Sequence, residues 1–348
     1  NFRNLIINGD MSIAQRGTSS SSVSGSGYYT VDRYRYGAGS GIVNTFSQST
    51  DVPSGQGFKY SHKQEATTGD ASLGADEYNI FQQRLEGYMF QSAKFGTSNA
   101  ESLTLSFWIK ASVSGTYVCE LHNIDADVSQ SQSYTVSSAD TWEKKTITFS
   151  ADTSNAINID NGRGLDLNWW LGAGTTFSSG TLQTTWGTQV AANRAVGCTN
   201  AFASNNDTVF LTGVQLEVGT SASDFEFLPY DVNYERCLRY YEKSYRYDTN
   251  VASSTEAGAL QINGFITSTS QKRFDTRLQK KKRTDTPTIT IYDPAGNSGK
   301  IRGYDTNGNG TDNISYGGVI AGSEHSFGIY VSTNESGIQF HYTADAEL

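Results

Sequence analysis

The sequence predicts an all-β protein: a jelly-roll β-sandwich followed by one short α-helix and a smaller C-terminal β domain. Three observations carry this reading. The 348 residues include 35 Gly, with Ser, Thr and Asn punctuating short runs, and 20 Tyr and 17 Phe fill those runs, the pattern of turn formers and large flat side chains in sheets. Several runs alternate apolar and polar residues at period two. One segment alone changes to helical spacing. The length exceeds that of a usual single domain, so a sandwich over residues 1–230, a connecting helix over 231–247 and a β domain over 248–348 are expected.

In chain order, Asn4, Leu5, Ile6 and Ile7 read as a short apolar strand ended by the turn dipeptide Asn8-Gly9. Residues 18–27 read as a polar loop, residues 28–36 as a return to alternation, and residues 51–57, with Pro53, as a break. SLTLSFWIKA is the clearest sandwich strand: Leu103, Leu105, Phe107 and Ile109 point one way, and Ser102, Thr104, Ser106, Trp108 and Lys110 the other. Its companions are GTYVCELHN, KKTITFS, GLDLNWWLG and residues 209–218, where Phe210, Thr212, Val214, Leu216 and Val218 share a face. About eight to ten strands with such spacing make a two-sheet jelly roll.

The helical segment opens on Asp231 as a cap, carries Glu235 early and Arg239, Lys243 and Arg246 late, and so matches the helix dipole at both ends. Tyr234, Cys237 or Leu238, Tyr241 and Tyr245 form an apolar stripe at helical spacing. About four turns of helix are marginal alone in water. The stripe is therefore expected to dock, between subunits or on the sandwich, with Tyr234, Leu238, Tyr241 and Tyr245 as the interface of a homotrimer. Beyond it ALQINGFITSTS, RFDTRLQKKKR, TPTITIYDP, KIRGYD, NISYGG, SFGIYVST and GIQFHYT return to β character.

A net charge of −9 argues against broad phosphate binding, and hence against nucleic acid as a partner. No run of 18 apolar residues exists to span a membrane as a helix, and no charged-then-apolar leader opens the chain. The chain opens on Asn rather than Met, so a processed or partial product is expected. Cys119, Cys198 and Cys237 are odd in number and far apart, which points to reduced, small apolar residues rather than a disulfide framework or a zinc site.

The strings TGVQLEVG, FEFLPY and CLRYYEKSY resemble the C-terminal half of tail-fibre and related virion proteins of bacteriophages and prophages. The opening NLIINGDMSIAQRG with YTVDRYRY, the middle segment GLDLNWWLGAGTTFSSGTLQTTWG with NRAVG, and the ending FHYTADAEL are similar to the same family, so the resemblance runs from about Asn4 to Leu348. It implies a virion protein made in the host cytoplasm, with other phage tail proteins as partners and a terminal domain presented three at a time. The opening NGD and the SFWIKA strand also look like carbohydrate-binding modules with the jelly-roll fold. Many such modules hold a structural calcium near the first and last strands. Asp10 and Glu217 stand in comparable places, with Ser12 where those modules often have Glu, so the resemblance implies at most that calcium and no other cofactor.

Trp170 shares a strand face with Asp166 and Asn168, opposite a core-like face of Leu165, Leu167, Trp169 and Leu171. An outward Trp beside Asp and Asn stacks on and hydrogen-bonds to a sugar, and Trp186 in a Gly/Thr-rich loop offers a second ring; a covering loop or subunit is the plain alternative. The basic run Lys280, Lys281, Lys282 and Arg283 reads as a solvated strand end. DTNGNGTDN, residues 305–313, has calcium-loop spacing but Tyr316 where the loop needs Glu, and reads as a hairpin turn. Two convergent carboxylates, or a nucleophile beside a base, are not evident. The expected function is adhesion without catalysis: a tail fibre binding bacterial surface glycan at several weak sites at once. A purely structural tail, baseplate or capsid role and a capsule-degrading enzyme are the alternatives.

Overall fold

The computed structural model describes residues 2–39, 41–263, 272–331 and 335–348. The ends of two expected strands, residues 264–270 of ALQINGFITSTS and 332–333 of SFGIYVST, lie outside the described residues. The chain divides into two compact units, with the division between Tyr230 and Asp231; Gln15–Gly17 belong to the second unit and Leu348 to the first.

The first unit is a jelly-roll sandwich of β1 (Ser19–Val23), β2 (Tyr34–Ala38), β3 (Val43–Ser49), β4 (Ser61–Thr68), β5 (Tyr78–Glu86), β6 (Leu103–Ala111), β7 (Gly115–Asn123), β8 (Val128–Val136), β9 (Glu143–Phe149), β10 (Arg163–Ala173), β11 (Gly187–Thr188) and β12 (Thr208–Val218). One sheet runs β1-β3-β4-β12-β6-β9 and the other β11-β8-β7-β10-β5-β2. The alternation in β6 puts Leu103, Leu105, Phe107 and Ile109 in the core between the sheets, with Leu165, Leu167, Trp169 and Leu171 of β10 facing them, while Trp108 is half-exposed on the opposite side.

Three local expectations are corrected. Residues 4–7 are not a strand: the segment lies beside β12 through Leu5 N–H to Leu216 O and through the Asn4 side chain, which donates to Val214 O and accepts from Leu216 N–H. The polar stretch 18–27 contains strand β1, because an edge strand needs only backbone pairing with β3. In β12 the face reverses midway. The ladder to β6 shifts between Thr212 and Gln215 around Gly213, whose φ of +62° suits a residue without Cβ. Val209 and Leu211 before the bulge, and Val214 and Leu216 after it, therefore reach the core, whereas Phe210 faces outward under the Lys110 ammonium, 4.2 Å from the ring centroid.

The second unit opens with α2 (Tyr230–Leu238), the first-unit helix α1 being Thr175–Ser178. It continues through β13 (Tyr241–Lys243), β14 (Leu260–Asn263), β15 (Lys272–Arg277), β16 (Thr288–Tyr292), β17 (Lys300–Tyr304), β18 (Gly310–Ser315), β19 (Gly318–Ser323), β20 (Ser326–Val331) and β21 (Gly337–Asp345). β21 is its spine: the first half pairs with β14 and β17, the second with β13 and β16. The expected helix over 231–247 is thus too long. It stops at Leu238, and the chain turns through Tyr240 N–H to Cys237 O so that Tyr241 can pair opposite Asp345.

Candidate functional site

The outward face of the second sheet carries three cross-strand rows, fixed by the registers of β7, β10, β5 and β2. His122, Asp166 and Arg84 form the first row; Glu120, Asn168, Gln82 and Arg35 the second; Val118, Trp170, Ile80 and Gly37 the third. Side chains directly opposite on neighbouring strands are within reach of one another, and the second row uses that closeness throughout. Arg194 donates Nε–H and Nη2–H to the two oxygens of Glu120, each at 2.8 Å. Asn168 Nδ2 donates to Glu120 Oε2 at 3.0 Å, Gln82 Nε2 to Asn168 Oδ1 at 2.8 Å, and Arg35 Nη1 to Gln82 Oε1 at 2.8 Å.

The third row lies beneath a satellite apolar cluster. Residues 174–195 fold back over it, so that Trp170 is fully buried with Ile80, Val118 and Ala195, packed by Phe177 and Leu182. Phe177 lies 5.5 Å from Trp170, and the Arg194 guanidinium 4.9 Å above its ring; the indole Nε1–H donates to Glu120. The expectation of an exposed Trp170 is corrected: its face was read correctly from the alternation, but a returning segment rather than solvent covers that face. Asp166 and Asn168 share the face as expected and are likewise buried, at 2% and 1% exposure. Trp186 lies elsewhere, donating Nε1–H to Ser150 O and meeting Phe95 edge-on at 5.5 Å.

What remains open is a cleft of about 320 Å³ lined by Arg35, Tyr78, Gln82, Arg84, Arg163 and Arg194, with His122 at its rim. Its volume falls within the range of small-ligand clefts. Gly37 leaves a gap in the floor, and the atoms nearest to a Cβ there would be Arg35 Nη1 at 3.4 Å and atoms of Tyr78 and Ile80 at 3.7 Å. Because the amide ladder is nearly closed to water, a ligand entering the cleft meets chiefly the half-buried Arg35, Arg84, Arg163, Arg194, Tyr78 and His122. Arg163 is held by Asp166 through Nε–H at 2.7 Å and through Nη2. Burial alone would lower the Arg163 and Arg194 pKa values, but their carboxylate partners Asp166 and Glu120 outweigh it and raise both. Arg84 goes the other way. Burial and the nearby Arg163 and Arg35 cations lower its pKa, its Nη1 donates to Leu348 O at 2.6 Å, and its buried Nε has no hydrogen-bond partner among the described residues.

The other residues singled out in the sequence are placed differently. Glu217 accepts from Ser223 N–H and Oγ and lies 3.4 Å from Arg3, and Asp10 Oδ1 accepts from Ser12; no group of three or more His, Cys, Asp or Glu among the described residues is arranged to hold a metal ion. A calcium on Asp10 and Glu217 finds no support in this donor set. The basic run is neutralised: Lys280 pairs with Glu235, Lys281 with Glu324, and the fully buried Lys282 with Glu242 at 2.5 Å. Leu238, Tyr241 and Tyr245 are buried, Tyr245 stacked on His341 at 3.8 Å. They offer no surface to another subunit, which corrects the helical-stripe interface; Tyr234 is half-buried against Tyr247 at 5.9 Å. Residues 305–309 form the β17–β18 hairpin turn and residues 310–313 already belong to β18, with Asp305 Oδ1 accepting from Asn307 and Asn309 N–H.

Fold and cleft define a class: a jelly-roll sandwich with an open, polar, arginine-lined recess on one outer sheet face. No family model matches the chain, and none of the curated proteins compared matches it. Among solved structures it is similar to the enzymatically active domain of tailspike protein 4 of bacteriophage CBA120, at 12% identity and TM-score 0.35, covering 62% of this chain and 21% of that one. A family 61 carbohydrate-binding module in complex with β-1,4-galactotriose is 10% identical over 62% of this chain and 99% of the module, with TM-score 0.32. A family 22 xylan-binding domain from Paenibacillus barcinonensis is 14% identical over 60% of this chain and 100% of the domain, with TM-score 0.28. The chain spans about a fifth of the length of the tailspike domain, and none of these likenesses reaches a level from which function passes to this chain.

Proposed function

We propose that the chain is a non-enzymatic virion protein of a bacteriophage, a tail fibre that attaches to glycans of the bacterial surface through the cleft over β2, β5, β7 and β10. The cleft is the observation that carries the reading. Its donors, all but Arg194 on strands, are held by hydrogen bonds of their own, the preorganised arrangement that hydroxyl-rich ligands need if ordering is not to consume the binding energy. Tyr78 and Phe177, edge-on at 5.3 Å, stand beside those donors and suit the apolar face of a sugar ring. The phage part of the proposal rests on the TGVQLEVG, FEFLPY and CLRYYEKSY resemblance. A shallow site binds weakly, and several copies on one particle, as in a trimer, raise avidity by roughly 10² to 10⁴.

A second reading, a packing unit of the tail, baseplate or capsid without receptor binding, is favoured by one observation: Phe2, Phe227 and Tyr230 are about half exposed, at 48%, 50% and 55%. An array of bacterial surface polysaccharides, probed with the wild type and with Gly37→Phe, separates the readings. Retention lost in the variant, with no release of reducing ends, is expected. No retention by either protein favours the packing unit, equal retention by both puts glycan binding outside the cleft, and release of reducing ends points to an enzyme.

A further inference from the structure

The cleft departs in sign from the chain that carries it. The protein has a net charge of −9, yet four guanidinium groups, Arg35, Arg84, Arg163 and Arg194, converge on one recess and meet two carboxylates, Asp166 and Glu120. Those two carboxylates are consumed internally: Asp166 by Arg163, and Glu120 by Arg194, Asn168 and Trp170. Arg35 has a neutral partner instead, the Gln82 amide oxygen, while Arg84 donates to the main-chain oxygen of Leu348; neither forms an ion pair with an Asp or Glu side chain among the described residues. Crowding of like charges is also legible in the lowered pKa of Arg84, to which burial contributes most and Arg163 and Arg35 the next part. Cations gathered in a low-dielectric recess focus field on whatever enters it, and a planar guanidinium fork matches an oxyanion two bonds at a time.

We propose that the cleft selects an acidic glycan, and that Arg35, fixed by Gln82 at the cleft floor, receives the sugar's oxyanion. This rests on the glycan reading above and adds the class of sugar. The oxyanion is a uronic-acid carboxylate or a phosphate, since both fit the guanidinium fork. Arg163 and Arg194 stay with their own carboxylates and frame the ring, Tyr78 supplies the apolar wall, and Arg35, whose partner is a neutral amide, compensates the ligand charge. The basic run at residues 280–283 takes no part, because Lys280, Lys281 and Lys282 are each paired with a carboxylate.

The test uses the full chain with three immobilised probes: short oligogalacturonates, the same oligosaccharides after carboxyl reduction, and a glycerol-phosphate teichoic acid. Preference for the uronate over its reduced form assigns a carboxylate, and retention of the teichoic acid alone assigns a phosphate; either supports the proposal. Binding of the preferred acidic probe should fall about threefold or more between roughly 50 and 300 mM salt. Arg35→Gln should weaken it about tenfold to a hundredfold, the worth of one charged hydrogen-bonded contact, with the fold retained and thermal unfolding lowered by no more than one lost hydrogen bond, and Arg35→Lys should retain part of the binding. Equal or better binding of the neutral form, lost in Gly37→Phe, would overturn the acidic selection while leaving glycan binding in place. Retention of no probe, or acidic binding untouched by Arg35→Gln, also overturns the proposal, and indifference of every probe to Gly37→Phe removes the glycan reading with it.

Discussion

Arg35 and Gln82 stand opposite each other on adjacent strands and join Nη1 to Oε1 at 2.8 Å, the last link of a side-chain ladder that starts at Arg194 and passes through Glu120 and Asn168. The ladder makes the cleft floor rigid, and Gln82 is its hinge, because its amide both donates and accepts. Gln82→Leu is predicted to leave Asn168 Oδ1 and the Arg35 donor without partners, at a cost of about 1–3 kcal/mol in stability, and to weaken ligand binding together with it. Urea unfolding and binding to a retained glycan check both. Unchanged stability would show that the ladder carries no strength.

Trp170 serves as a core residue of the outer face, filled in by Phe177, Ala195 and Arg194. Trp170→Ala is therefore predicted to destabilise the sandwich by about 3–5 kcal/mol. A variant of wild-type stability that merely lost glycan binding would return Trp170 to the role of a sugar platform.

Leu238 is buried at the end of α2, and its carbonyl accepts from Lys282 Nζ of the buried Lys282–Glu242 pair. Leu238→Asp would bury a carboxylate beside Glu242 and is predicted to cost about 3 kcal/mol or more. Unfolding by circular dichroism measures the loss, and sedimentation measures the mass. A fall in mass without a fall in stability would contradict the burial of Leu238 within a single chain.

His62 lies stacked on Phe81 at 4.2 Å and on Phe46 at 5.5 Å, with neither ring nitrogen hydrogen-bonded among the described residues, and burial lowers its pKa from 6.5 to about 3. Below pH 6.5 the unfolded chain takes up a proton that the folded chain refuses, so the unfolded state binds more protons and stability falls as pH drops from about 6.5 towards 3. At pH 5 the effect is about 2 kcal/mol. Denaturant midpoints of wild type and His62→Phe, compared at pH 7 and pH 5, should show a shallower acid slope in the variant; parallel slopes would count against a neutral buried imidazole. His341, buried against Tyr245, is lowered in the same direction by burial.

Period-two alternation made the sandwich legible. It placed Leu103, Leu105, Phe107 and Ile109 in the core and separated Leu167 and Trp169 from Asn168 and Trp170 correctly. It misplaced Phe210, because a one-residue bulge at Gly213 reverses the face, and a lone Gly in a strand marks such a bulge without fixing it. The helix was overextended because Tyr241 and Tyr245 continue a helical spacing by coincidence, while their backbone and rings are claimed by β21 and His341, about a hundred residues on. The cleft was half legible. The same alternation, applied to YNIFQQRLE, sets Ile80, Gln82 and Arg84 on one face, but that Gln82 meets Asn168 and Arg35 is a matter of register between distant strands, which a single sequence does not reveal. That residues 174–195 return over Trp170 could not be read from their Gly- and Thr-rich composition.

The most direct test of the glycan-binding cleft is a crystal structure of the full chain soaked with a short oligosaccharide retained on the array. The account predicts sugar density over β5 and β10, with an oxygen of the ligand within hydrogen-bond distance of Arg35 and a ring face against Tyr78. Density instead on the opposite sheet, over the half-exposed Trp108 and Trp142, with the arginine-lined recess empty, would contradict it.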